Sequence, residues 1–577
     1  MSTASEAIGE EEKDEDREDG EGVGAAQRQG HTIDFFHSPE TAKRFTIASM
    51  VKLLTSTSRH PLGSSSAATA TPAIAPAAVA AVTVAAALAL SLCLTAIPTT
   101  QARAQQAPAA TNAVPSATPA QTAEAPAPSS ALPPITFRQD LHVTAEDHPV
   151  LEAFCRHAMQ YARSRTPEAV AAECLKAPET FAWIGFRHLI SLNIAYQLTG
   201  DTAYLDQLRD TFALYRAIMT TEGDEFLGWY GSPIKPRIPR DKPDIRIDEL
   251  QMNFRAMKLL GDWVTLAKSD AVYAARHAET IAAYTELMEK HLYPKWDKRG
   301  FYTELSPGGP AVYHGLDYPI TGGVTLSHEK TSIAVDGLLA LHAATGKPDY
   351  LRRALQLGAR FKQCLSIATA PGGTGEHYEW MSWCPAGKWD VGTDPAKPDT
   401  WKIGWMAPDP RGEWYVASLS IALNFYQRGL LFSEEDLQRF IRTQKEMCWD
   451  GNLEKPGYRN VAGATSEHIK GRYLSLQLAP YDETLTRLAF HGVYEKEAQA
   501  PATLASNWKG GVQAQDYIVN KYLLLPRIAG KGERRPLRAV GENFLKDKTN
   551  EAFHSDLNTE VKPPGAVSPR KPSEAGF

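Results

Sequence analysis

Apolar positions recur along the chain with two periods that interlock. Three segments align: TGDTAYLDQLRDTFALYRAIM from Thr199, KSDAVYAARHAETIAAYTELM from Lys268 and TGKPDYLRRALQLGARFKQCL from Thr345. In each, an aromatic (Tyr204, Tyr273 or Tyr350) is followed eleven residues on by Tyr215, Tyr284 or Phe361, and four later by Met219, Met288 or Leu365. These spacings return a side chain to one face of a helix, so they predict the buried stripe of a recurring helix. A weaker fourth copy begins at Ser433. Each copy follows a stretch that is apolar nearly all round (FRHLISLNIAYQL, ELQMNFRAMKLLGDWVTLA, TSIAVDGLLALHAA, EWYVASLSIALNFYQR), the pattern of a helix buried on most sides. The chain reads as a series of helical hairpins.

Connections inside a hairpin are short (LTGD, KSD, ATGK), whereas those between hairpins are long, at 222–247, 294–326, 369–411 and after Cys448. Alternating buried and amphipathic helices of this kind resemble the α/α-toroid architecture of carbohydrate-active enzymes, with inner helices in a ring and outer helices wrapped around them. The resemblance is one of architecture and carries no motif. It implies an all-α (α/α)6 or (α/α)7 toroid over 135–531. It also implies that the long loops gather over one mouth, where function concentrates.

Those loops hold the candidate chemistry. The stretch VYHGLDYPITGGVTLSHEK at 312–330 brings Tyr313, His314, Tyr318 and His328 to the entry of a buried helix. Loop 222–247 carries Arg246 and runs into Asp248 and Glu249; later loops add Glu413, Tyr415 and Arg472. Tryptophans cluster in the same places, Trp229, Trp383 and Trp405 among them, and flat aromatic faces suit sugar rings. Arginine forms bidentate pairs with carboxylates, so the mixture points to an acidic poly- or oligosaccharide.

Two chemistries fit. A uronate lyase, the first reading, requires proton transfer by groups such as Tyr313, Tyr318, His314 and His328, with Glu249, Arg246 or Arg472 holding the substrate carboxylate. Among toroids, alginate lyases carry an Asn-His dipeptide that this chain lacks; other toroidal uronate lyases combine Tyr, Glu and Arg. A glycoside hydrolase, including one acting on unsaturated uronides, needs a carboxyl pair, for which Asp248 or Glu249, Asp317 or Glu329, and Glu413 are candidates. A sugar epimerase is a third enzymatic reading and a glycan-binding protein the non-enzymatic one. One Glu-His-x-Glu at 376–379 is too little for a metal site. Neither metal nor cofactor is expected.

The termini complete the picture. Residues 1–30 carry ten acidic and three basic side chains, so an acidic tail accounts for the net charge of −6 and the body is nearly neutral. Residues 1–49 read as a disordered extension, with Met50 a plausible alternative start. Residues 50–104 have the basic, apolar and Ala-x-Ala order of a secretory signal, 105–134 a Pro/Ala linker, and 532–577 a fraying tail. A secreted or periplasmic enzyme with no stable membrane association follows. Nothing resembles a basic stripe for nucleic acid. Of five cysteines after the signal, Cys155 with Cys174 or Cys364 with Cys384 can pair by oxidation.

Overall fold

The computed structural model describes residues 134–222, 224–232, 246–315, 323–371, 374–402, 408, 413–465, 476–501, 504, 514–529 and 571–573. The expected extension and signal segment, and all of the linker but its last residue, lie outside the described residues. So does most of the tail, of which Ser573 docks on Asp399 through its backbone N–H and hydroxyl.

The described chain is mainly α-helical. It runs α1 (His148–Arg163), α2 (Pro167–Lys176), a π turn, α3 (Phe186–Thr199), α4 (Ala203–Ala217), α5 (Leu250–Ser269), α6 (Ala271–Arg276), α7 (Ala278–Leu287) and α8 (Pro294–Lys298). After strands β1 (Tyr302–Glu304) and β2 (Ala311–Tyr313) come α9 (His328–Thr345) and α10 (Pro348–Gln363). Strands β3 (Ser366–Thr369) and β4 (Glu376–Glu379) precede α11 (Glu413–Tyr426) and α12 (Glu434–Arg442). A 3-10 turn (Leu476–Tyr481) leads to α13 (Glu483–Phe490), α14 (Val493–Ala498), α15 (Ala514–Ile518), a π turn (Val519–Leu524) and α16 (Leu525–Ala529). Both strand pairs are antiparallel hairpins inside the long loops.

The repeat is the core of the fold. Tyr204, Tyr215, Tyr273, Tyr284, Tyr350, Phe361, Met219, Met288 and Leu365 are all buried. Helix α3 turns into α4 over Gly200, whose positive φ closes the first helix, and Gly346 does the same between α9 and α10. Trp263, late in α5, donates to the carbonyl of Leu205, early in α4, so α5 runs against α4 and along α3.

The helices that are apolar all round pack on one another. Helix α3 touches α5, α5 touches α9 and α9 touches α11; α11 touches the 3-10 turn, which touches the π turn at Val519–Leu524, which returns to α3. The α5–α9 seam depends on two glycines. A Cβ on Gly261 would stand 2.7 Å from the Ala340 carbonyl carbon, and one on Gly337 would stand 2.6 Å from the Phe254 carbonyl oxygen. Backbone cannot rotate away as a side chain can, so these contacts hold α5 and α9 parallel at close range.

Three long loops are bonded together where α5 and α9 begin. Lys295, fully buried, donates to Asp248 at 2.8 Å, and Arg299 reaches Asp224 at 2.7 Å and Asp248 at 3.1 Å. Farther along, the buried Asp390 accepts from the Thr325 N–H (2.7 Å) and hydroxyl (2.8 Å), and from the Ala386 and Gly387 N–H groups. The Cys364–Cys384 disulfide pins the third loop to the end of α10, while Cys155 and Cys174 remain buried thiols.

Candidate functional site

The aromatic and histidine groups of the loops serve mainly to pack them. Tyr313 is 1% exposed, lies between Phe254 and Tyr302, and donates to Asp297 at 3.3 Å; burial pushes its phenol well above the usual range. His314 is buried with both ring nitrogens engaged, one with the Thr303 hydroxyl at 2.9 Å and one with the Gly323 carbonyl at 3.3 Å. His328 opens α9 as expected, but its ring packs edge-on against Phe361. Burial, with Arg360 adding to it, pushes its pKa down to about 3, so the ring is neutral. Glu249 is wholly buried ahead of α5.

The binding residues divide similarly. Trp229 and Trp383 are fully buried and donate to the carbonyls of Tyr215 and Thr325. Tyr415 is buried against Trp380 and donates to Gln444. None of the three offers a face to a sugar, which corrects the expectation for them: indole and phenol bury large apolar areas and are being used here to plug loop to helix. Arg246 is partly exposed, paired with Glu222 and donating to the Tyr230 carbonyl at 2.7 Å. Tyr318, Arg472, Trp405 and Asp317 lie outside the described residues, and Glu413 is described only as the first residue of α11. Replacing Tyr313 by Phe removes one long hydrogen bond and no exposed group. Any turnover the protein shows should stay within about twofold of wild type, since a side chain away from the reacting groups leaves the barrier unchanged. A large drop in kcat for the Tyr313→Phe variant would return Tyr313 to the catalytic set.

A different set of residues converges deeper in the molecule. Arg187 of α3, Arg255, Lys258 and Asp262 of α5, Asp336 of α9, Asn424 of α11 with Arg428 just past its end, and Gln477 of the 3-10 turn stand on the helices that touch in succession, and Asp516 stands on α15, which touches both turns. They are bonded or coupled within and between those helices. Asn424 donates to Asp336 at 2.8 Å, Arg428 donates to the Asn424 carbonyl at 2.7 Å, Lys258 pairs with Asp262, and Gln515 ties α15 to Ser191 of α3 at 2.8 Å. Arg255, Arg428, Asp336 and Asp516 are surrounded by protein on every side, yet each keeps some accessible surface. Enclosed and coupled through their charges, these groups occupy one interior region.

The electrostatics of that space are unusual for a protein interior. Burial pushes the Asp516 carboxyl up to about 6, opposed by Arg187 and by a hydrogen bond from Gln477, with the Asp336 charge reinforcing the rise. Burial also raises Asp336, against Lys258, Arg255 and Arg428. The guanidinium groups of Arg255 and Arg428 are shifted down by burial, which Asp336 counters. Two carboxyl groups and several cations thus share one enclosed volume, a combination that favours acid–base chemistry near neutral pH.

Sequence reasoning looked to the loops and passed over these residues. Their signal was present: Asp336 is the only charged residue in TSIAVDGLLALHAA, and Arg255, Lys258 and Asp262 recur at helical spacing through an otherwise apolar stretch.

Among the described residues no group of His, Cys, Asp and Glu could hold a metal ion, and His377 of the Glu-His-x-Glu stretch bonds Glu379 within β4. A shallow groove of about 620 Å³ lies between α4 and α7, lined by Arg209, Asp210, Arg216, Glu279 and Tyr284. It lies on the helices that follow α3 and α5, and Arg209 is already tied to Asp206 and Asp210. Compared with protein-family models, curated proteins and solved structures, the chain matches none.

Proposed function

We propose that the chain is an exported α/α toroid that cleaves glycosidic bonds in an acidic glycan, with its active site in the charged space along the helix axis. The toroid reading is supported by the succession of helix contacts that returns to α3, with the amphipathic partner helices outside. Export is supported by the signal-like segment at 50–104 and by the Cys364–Cys384 disulfide, a bond of oxidising compartments.

One observation carries the functional reading: Asp336 and Asp516 are buried among the helices and coupled to one another and to Arg255, beneath loops that are locked together. Such a pair suits hydrolysis. A carboxyl still protonated near pH 6 can donate to the leaving oxygen while a second, ionised, activates water or attacks the sugar. Asp516 takes the acid role and Asp336, oriented by Asn424, the other. Hydrolysis therefore moves ahead of β-elimination, since Tyr313, His314 and His328 are occupied in packing. A lyase is the second reading, because Arg187 and Arg255 beside a protonated carboxyl could neutralise a uronate carboxylate, the first requirement of elimination.

The test is a panel of uronate polysaccharides and their unsaturated oligomers given to the full chain after export. Reducing ends and ultraviolet absorbance of the C4–C5 double bond are followed together. New reducing ends with constant or falling absorbance are expected. Absorbance rising with reducing ends would establish elimination instead. No change across the panel would leave a glycan-binding protein as the better reading.

A further inference from the structure

We propose that Arg255 receives the carboxylate of the terminal sugar, and that the protein consequently works from chain ends. The inference rests on the axial space being the active site and adds which unit of the glycan is recognised and how the chain enters.

Arg255 differs from most of the other described charges of the axis. Lys258 has Asp262, Asp336 has Asn424, Arg428 has the Asn424 carbonyl, and Asp516 has Gln477. The Nε of Arg255 has no hydrogen-bond partner among the described residues. Asp336 and Asp516 act on it through their fields alone, without contact. A guanidinium enclosed in protein and left with open donors is a costly arrangement unless something fills it. Its planar fork matches a carboxylate in two parallel hydrogen bonds.

Depth decides the direction of entry. Arg255 stands five residues into α5, about 8 Å below the start of that helix at 1.5 Å per residue. Phe254 abuts Gly337, nine residues into α9, so the same level is about 13 Å below the start of α9. At and below that level Asp336 of α9 is bonded to Asn424 of α11. A polymer lying across the loops would not bring a mid-chain carboxylate down to Arg255. An end inserted from the loop side reaches that depth. The acidic unit is then the terminal one, held beside Asp336 and Asp516.

Binding of free D-glucuronate, methyl glucoside and glucose 6-sulfate to the full chain at pH 5.5, followed by ligand-observed NMR titration, tests recognition apart from catalysis. Glucuronate is expected to bind, with methyl glucoside at least about tenfold weaker, as loss of charge-assisted hydrogen bonds implies. An Arg255→Gln variant should lose about 10- to 100-fold in glucuronate affinity without a lower melting temperature, and Arg255→Lys should recover part of it. Tighter binding of the sulfate would overturn the carboxylate assignment, as would unchanged glucuronate affinity in Arg255→Gln or no glucuronate binding at all. On a polysaccharide that the protein cleaves, monomers should accumulate from the first time points. A ladder of intermediate oligomers would overturn end-directed action while leaving the proposed hydrolysis intact. A panel with no cleavage, together with Arg255-dependent glucuronate binding, would fail the enzymatic reading and keep the receptor.

Discussion

Asp516→Asn and Asp336→Asn variants are expected to lose at least about 100-fold in kcat on a cleavable glycan, the usual contribution of a positioned acid or base. Both substitutions preserve shape, and each removes a carboxyl that burial strains, so neither should unfold the protein. The alkaline limb of the wild-type rate–pH profile is set by Asp516, whose carboxyl burial pushes up to about 6. Protonated Asp516 is the acid in the proposed step, so kcat/KM should fall about tenfold per pH unit above that value. Stability has its own pH signature. Because the folded state holds this proton more tightly than the unfolded chain, the contribution of Asp516 is full below its ordinary value of 3.8. It is lost as pH rises towards about 6. Asn at 516 should flatten both dependences, measured by rate–pH profiles and by denaturation at pH 4 and pH 7. Full activity in both variants would remove the carboxyl pair from the chemistry.

Lys295→Met should cost about 3 to 5 kcal/mol, the largest stability loss expected of a single side chain here. Lys295 has no exposed surface and is bonded to Asp248, itself buried and held also by Arg299 and Asn253. Removing the ammonium leaves Asp248 short of a partner in a space closed on the other side by Gly228, where even a Cβ would lie 2.5 Å from the carboxylate. The loop ahead of α5 would loosen with it, so activity should fall alongside the denaturation midpoint. Lys290→Met makes the contrast, since its pair with Glu286 is on the surface, and no measurable loss is expected. Equal midpoints for the two variants would show that the buried pair does not hold the loops.

The helices were legible because burial writes a period into sequence. Tyr204 and Tyr215, or Tyr350 and Phe361, can share a helix face only at such spacings, and all four are buried. The fusion of the loops was not legible. It rests on pairs such as Asp248 with Lys295 and Thr325 with Asp390, whose partners are distant in sequence and of ordinary type. The packing role of the loop aromatics was not legible for a related reason. Tyr, His and Trp in a loop look like a ligand wall, but Trp229 and Trp383 bury their rings and use their N–H groups to bind backbone. Charges inside apolar helices are fewer and less conspicuous. A lone Asp336 or Arg255 in a buried stretch must meet a partner or line a cavity, and that physical necessity is the better guide.

The most direct measurement is a crystal structure of the Asp516→Asn variant with an acidic oligosaccharide bound. Density for the terminal sugar between Arg255, Asp336 and residue 516, with the rest of the chain leading out past the loops ahead of α5 and α9, is the expected result. Density confined to the loop surface, or to the groove between α4 and α7, would contradict an active site on the axis.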